Sequence, residues 1–231
     1  MPDSASSLAY LTQWKPVPIP SPTTHLGRYV TLEPLSADKH TIDLWRAVQG
    51  HDEVWAYLAD GPYADEVDLR RAIEQKEAGT AAVFLAITPR SSGKPEGYAS
   101  YMRMDPANGV IEVGNILMAP SLQRTTAATE AMYLMARHIF EDLGYRRYEW
   151  KCNAGNEPSR RAALRYGFTY EGIFRQHMIV KGENRDTAWF SMLDNEWPPC
   201  RAAFERWLDP ANFDADGRQL KSLAQLSGCA S

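Results

Sequence analysis

The residues with the clearest chemical potential lie between Ile116 and Ala131. An apolar strand ends in Ile116, Leu117 and Met118. A short loop carries Gln123 and Arg124, and Thr125, Thr126, Ala127, Ala128 and Thr129 open a helix. Helix N-termini present N–H groups that have no intrahelical acceptor, together with the positive end of the dipole. A strand–loop–helix of this kind therefore binds anions, diphosphate in particular. The small and hydroxyl side chains at 125–129 let an anion approach the backbone, although they equally suit a plain turn capped by threonine. Just upstream, Glu112 interrupts the apolar run Val110-Ile111-Glu112-Val113-Gly114. Burial without a partner would raise its pKa, as a proton acceptor near neutrality requires; a structural salt bridge or a solvent-facing position is the alternative.

Seven Lys/Arg against four Asp/Glu fall between Arg137 and Arg165, and Arg160, Arg161 and Arg165 share one short segment. They suit a phosphate or form a solvated face. His177 in a late strand could line a pocket, and Trp45, Trp55 and Tyr57 could wall one or simply pack a core. His138 reads as core-edge or surface, and Cys152 as a buried, inert thiol.

These residues need elements to position them. Arg28–Glu33 alternates as a strand, and Ser36–Gln49 carries helical spacing with Ser36 as a cap. Asp65–Ala78 is a second helix stopped by Gly79. Strands over Ala82–Ile87, Gly97–Met104 and Val110–Met118, joined by short turns, form an antiparallel meander. A helix then runs from about Ala128 to Leu143-Gly144, followed by a strand at Arg147–Asn153 and a helix at Pro158–Tyr166. Strands at Phe168–Val180 and Arg185–Leu193 follow, and Pro198 opens an amphipathic tail. The expected class is mixed α/β. Lys15 to Pro22 alternates proline with other residues and should be extended. The chain therefore divides into an arm at 1–24, one domain at 25–197 and a helical extension at 198–231.

Composition bounds the partners. The 231 residues are 44% hydrophobic and 23% charged, ordinary values for a globular chain. A net charge of −4 argues against a nucleic-acid binder. Cys152, Cys200 and Cys229 are far apart with no histidine cluster, so neither a disulfide framework nor a metal site is expected, and a reducing, cytoplasmic setting fits. The N-terminus lacks the pattern of a signal peptide, and no apolar run of about 18 residues suggests a membrane span.

Three ordered motifs carry a resemblance. Gln123, Thr126 and Ala128 fall at the defined positions of a loop reading Gln/Arg-x-x-Gly-x-Gly/Ala, with Thr129-Glu130-Ala131 after it. Asn156-Glu157-Pro158-Ser159 precedes Tyr166-Gly167-Phe168. Arg185-Asp186-Thr187 leads to Trp189-Phe190-Ser191-Met192-Leu193 and Glu196-Trp197. Over about residues 25 to 197 the chain resembles the GCN5-related N-acetyltransferases, in the branch that includes the ribosomal-protein RimJ/RimL enzymes. The departure is Thr126 in place of the first motif glycine. It either crowds the anion or donates one more hydrogen bond to it.

The resemblance implies a mostly antiparallel sheet flanked by helices, with splayed parallel strands forming an acyl-CoA cleft. Ile116, Leu117 and Met118 would contact pantetheine, the amides of Gln123 to Ala128 the diphosphate with Thr129 also at the cofactor, Asn156 the pantetheine arm, and Arg160 a phosphate. Amine attack on a thioester needs a base, an oxyanion donor and an acid for the thiolate. Glu112 precedes Gln123 by the spacing of a base used by some relatives. The tyrosine acid of many relatives is absent, since Ala163 stands there, and Ser159 takes that role by similarity to RimL. The Met118 N–H region could donate to the oxyanion. Trp45 and His177 would face the acceptor. The implied activity is N-acyl, most simply N-acetyl, transfer from acetyl-CoA to a primary amine of a peptide or small molecule, without metal, nucleic acid or membrane; a homodimer is left open. A non-catalytic acyl-CoA sensor is the competing reading.

Overall fold

The computed structural model describes residues 12–227. The first part of the expected arm, residues 1–11, and Cys229 lie outside them. Eight strands form one sheet in the order β1-β2-β3-β4-β5-β6-β8-β7. They are β1 (His25–Leu26), β2 (Val30–Pro34), β3 (Ala82–Pro89), β4 (Gly97–Asp105), β5 (Val110–Met118), β6 (Arg147–Asn153), β7 (Thr169–Val180) and β8 (Glu183–Leu193). Every neighbouring pair is antiparallel except β5 and β6. The expected mixed α/β class and mostly antiparallel sheet are both present.

Among the described residues, six α-helices flank the sheet: α1 (Ala37–Val48), α2 (Glu66–Ala78), α3 (Thr126–Arg137), α4 (Glu157–Arg165), α5 (Trp197–Leu208) and α6 (Leu223–Ser227). Asp65 caps α2 by accepting the Asp68 N–H, whereas Ser36 precedes α1 without a side-chain cap. There the Ser36 N–H donates to His40 Nδ1 instead.

Side chains alternate across a strand, so each sheet face has its own core. One face carries Val113, Tyr148, Trp150 and Phe190 against Met132, Ala136 and Phe204 of α3 and α5. The other carries Ala86, Tyr98 and Leu117 against Leu44, Leu69 and Ile73 of α1 and α2. The second layer covers only the β2–β5 half. The same face of β6–β8 keeps polar groups, and most of β7 is exposed.

The polypeptide entering β2 is tied to α3 by a buried carboxylate. Glu130 accepts the N–H groups of Arg28, Tyr29 and Val30 at 2.9, 2.6 and 2.9 Å. Gly27 makes room for it, since a Cβ there would lie 2.3 Å from the carboxylate oxygen. Glu130→Gln turns an NH2 group towards donors that need acceptors. It should cost about 2–3 kcal/mol, read as a lower urea midpoint at unchanged m-value. A loss under about 0.5 kcal/mol would show that the carboxylate does not hold this turn.

The arm lies on the surface where it is described. Trp14 Nε1 donates to the Ala107 carbonyl at 2.8 Å, and the Val17 N–H donates to Pro106 at 3.1 Å. The helix that opens the C-terminal extension packs on α3, with its first residue, Trp197, and Phe204 against Tyr133.

Candidate active site

The site is a gap in the sheet. The parallel pairing of β5 with β6 runs only from Val110↔Arg147 to Val113↔Trp150. Beyond it the strands diverge, so Asn115 to Met118 and Lys151 to Asn153 have no partner across the gap. A bulge sets the divergence: two steps along β4, from Tyr98 to Ser100, oppose three along β5, from Leu117 to Gly114. Asn115 takes φ 50° there, and its Nδ2 donates to Ser100 Oγ at 3.0 Å.

The loop after β5 closes one end of the gap. Thr125 caps α3, its Oγ1 accepting the Ala128 N–H at 3.1 Å and donating to the Leu122 carbonyl at 2.7 Å. The Gln123, Thr125 and Thr129 N–H groups are also used, by Ala119, Leu122 and Thr125 carbonyls. This leaves the N–H groups of Arg124, Thr126 and Ala127 uncommitted, fewer than the whole 123–128 stretch that the sequence suggests. Arg124 takes the left-handed φ of 62°, a strained conformation for a side chain-bearing residue. Thr126 is half-buried and its hydroxyl takes no part in the cap. The Ala127, Ala128 and Thr129 side chains are buried, so Ala127 can serve a ligand only through its backbone. The Gln123 side chain donates to the Met118 carbonyl at 3.0 Å. Ile116 and Met118 are half-buried beside the gap, while Leu117 points into the second core. A free strand edge ending in three uncommitted N–H donors fits an elongated ligand with an anionic group at one end.

On the opposite bank, Asn156 Oδ1 caps α4 through the Ser159 N–H at 3.1 Å. Ser159 Oγ accepts from Trp150 Nε1 at 3.0 Å, and its own proton can be donated, with the Cys152 sulfur as its neighbouring acceptor. Burial pushes the neighbouring Cys152 thiol above its ordinary pKa, so it stays protonated and inert. Arg160 does not face the loop. It pairs with Glu157 at 2.7 Å and lies 5.8 Å from the Tyr170 ring. Arg165, one of the three arginines that the sequence offers for a phosphate, reaches α3, donating to Thr129 Oγ1 at 3.2 Å.

Glu112 is 3% exposed and lies one residue before the divergence. The unpartnered carboxylate expected from an apolar strand is in fact a paired one. Its Oε2 accepts from Arg103 at 2.9 Å and from Lys151 at 3.0 Å. Sequence reasoning missed both cations, because Arg103 arrives from a β4 bulge with φ 46° and Lys151 from β6. Lys151 also pairs with Glu149 at 2.7 Å, and Arg147 joins Glu149 to Glu171. Its partners hold the Glu171 carboxyl at about 2, the Arg147 bond contributing most. Glu112 Oε1 lies outside these ion pairs. It faces Gly114, where an added Cβ would come within 3.3 Å of it.

Two elements bridge the gap from above. Tyr57 Oη donates to the Gly155 carbonyl at 3.1 Å, and Lys181 Nζ donates to the Trp55 carbonyl at 2.9 Å. Trp55 is buried in the second core against Tyr63, and the half-buried Trp45 packs on that core. His177 stands on the polar face, its Nδ1 3.0 Å from Thr187 Oγ1, beside Phe174 and Trp189.

The chain and its fold are similar to known proteins. Residues 30–169 match the family described as the acetyltransferase (GNAT) domain. The structure superposes on a GCN5-related N-acetyltransferase from Brucella melitensis with a TM-score of 0.92, at 46% identity, covering 94% of this chain and all (100%) of that one. The ribosomal-protein-serine acetyltransferase of Escherichia coli is 32% identical over 80 residues, 35% of this chain and 44% of that protein. The chain spans about half the length of the curated relatives it matches, 55% and 44%. Family match, splayed parallel strands and capped loop agree, and the chain belongs to the GNAT acetyltransferase family.

Proposed function

We propose that the protein is an acyl-CoA-dependent N-acyltransferase that moves an acetyl group from acetyl-CoA directly to a primary amine. The supporting observation is the unpaired β5 edge, which leads into the uncommitted N–H groups of Arg124, Thr126 and Ala127 at one end and to Glu112 Oε1 at the other. When bound, acetyl-CoA supplies an activated acyl carbonyl. The loop amides bind its diphosphate, and the β5 edge from Asn115 to Met118 aligns its amide arm. Asn156 has spent Oδ1 on the α4 cap and offers Nδ2 to that arm. Glu112 Oε1 takes the proton of the acceptor ammonium, directly or through one water, while Arg103 and Lys151 fix the other oxygen. Ser159 holds a proton at Oγ for the leaving thiolate. The acceptor is a primary amine of a protein N-terminus or a small molecule. Cys152, the cysteine beside the gap, does not act as a nucleophile, since burial keeps its thiol protonated.

Acetyl-CoA at a hundredfold excess over its Kd should raise the melting temperature by about 5–10 °C, and an amine panel should release free CoA. No thermal shift with acetyl-CoA, succinyl-CoA or free CoA would sink this reading.

A further inference from the structure

The polar face of β6–β8 holds a cation with no counterpart. Six charged side chains form one balanced chain of ion pairs, Arg103–Glu112–Lys151–Glu149–Arg147–Glu171. Arg185 stands outside it. Its register partner is Met178, and Met178 Sδ lies 3.9 Å from Arg103, the guanidinium that reaches Glu112. Arg185 therefore shares a sheet face with Met178, and both Arg103 and Glu112 act on it electrostatically. Its Nε is buried without a hydrogen-bond partner, and so is Trp189 Nε1. Residues 185, 187 and 189 alternate on β8, so Arg185, Thr187 and Trp189 share this face, with His177 bonded to Thr187. Burial and the charge of Arg103 depress the Arg185 pKa, while the nearby Glu112 carboxylate is already committed to Arg103 and Lys151.

Two buried N–H donors without acceptors and a surplus guanidinium are costly unless something completes them. No described side chain does so. We infer that Arg185 binds a carboxylate of the acceptor, so that the substrates are amines carrying an acidic group. Phe174 and Trp189, their rings 4.3 Å apart, give that acceptor an apolar wall, and His177 closes the outer side. This inference rests on the acyltransfer reading above. It narrows the acceptor from any primary amine to a zwitterionic or acidic one. An α-amino acid and a peptide with an acidic second residue present the same chemistry.

The test compares acceptors that differ in one charge, with full-length protein and acetyl-CoA. L-serine is set against L-serinamide, and L-phenylalanine against L-phenylalaninamide. C-terminally amidated Ser-Asp is set against Ser-Asn, which separates an acidic peptide from a free amino acid. In at least one pair the carboxylate member should have a kcat/KM about 10–100-fold higher. Arg185→Gln should erase that preference through KM, with Arg185→Lys recovering part of it, while acetyl-CoA affinity and melting temperature stay unchanged. The same acceptors are titrated by tryptophan fluorescence in the presence of CoA, so binding is read even without turnover. Equal response to both members of every pair in both assays overturns the inference, as does a preference that survives in Arg185→Gln. Loss of acetyl-CoA binding by the wild-type protein instead overturns the parent reading.

Discussion

Lys151→Met should lower the melting temperature by about 6–20 °C, corresponding to roughly 3–5 kcal/mol in a chain of this size. Lys151 is the only link between Glu112 and Glu149 among the described ion pairs, and its side chain is 4% exposed. The Glu112 and Glu149 side chains are 4% and 10% exposed, so neither can recover its hydration when the ammonium is removed. Arg103 would still face Glu112 and Arg147 would still face Glu149, which caps the loss below that of two naked charges. Lys151 also sits 3.8 Å from the centre of the Trp189 ring, and methionine keeps that packing. The effect therefore isolates charge from volume. Thermal unfolding measures it, and the double variant Lys151→Met/Glu149→Gln should recover more than half the loss. A single variant within 2 °C of wild type would mean that water already solvates the network.

The second large effect is on turnover. Glu112→Gln should reduce kcat by about 10²–10⁴ while leaving acetyl-CoA affinity within a factor of about two. Glutamine preserves the shape beside Gly114 and can still accept from one cation, but its remaining atoms cannot take a proton. Glu112 also stabilises Arg103 and Lys151, so some thermal stability will be lost as well. The two roles separate in the pH profile. If Glu112 accepts the ammonium proton, the acidic limb of the kcat profile seen in the wild type disappears in Glu112→Gln. A variant that keeps that limb, or that retains kcat within threefold, assigns Glu112 to structure alone.

The sequence carries the elements of this site better than their relations. The β5 and β6 ranges are legible because the apolar alternation and the flanking Gly109, Gly144 and Asn153 mark their ends locally. The loop is legible for the same reason: Thr125 and the small residues behind it encode a helix start by themselves. The point where β5 and β6 part is not legible, because it depends on a bulge defined only against β4. Glu112 shows the cost of that. Its neighbours in sequence are apolar, yet its neighbours in space are cations delivered by two other strands. Arg160 and Arg165 are five residues apart on α4 and so about 140° apart around it. The sequence establishes that they face differently but not which one meets α3. The bridge from Trp55 and Tyr57 to the far bank is likewise a tertiary fact, built on a single turn at Asp52–Trp55 with no strong periodicity.

The seam between β5 and β6 also has a mechanical meaning. Among the described residues, four register pairs, with the Gly109 carbonyl accepting from the Arg146 and Arg147 N–H groups, join the plate of β1–β5 to the plate of β6–β8 along the backbone. Across the rest of the boundary, the described links include the Tyr57 and Lys181 latches and the Lys151 ion pair. A ligand that lines the bare β5 edge takes the place of the missing rungs. It couples two plates that otherwise pair along only four of the nine residues of β5, so what the protein binds completes its architecture as well as its chemistry.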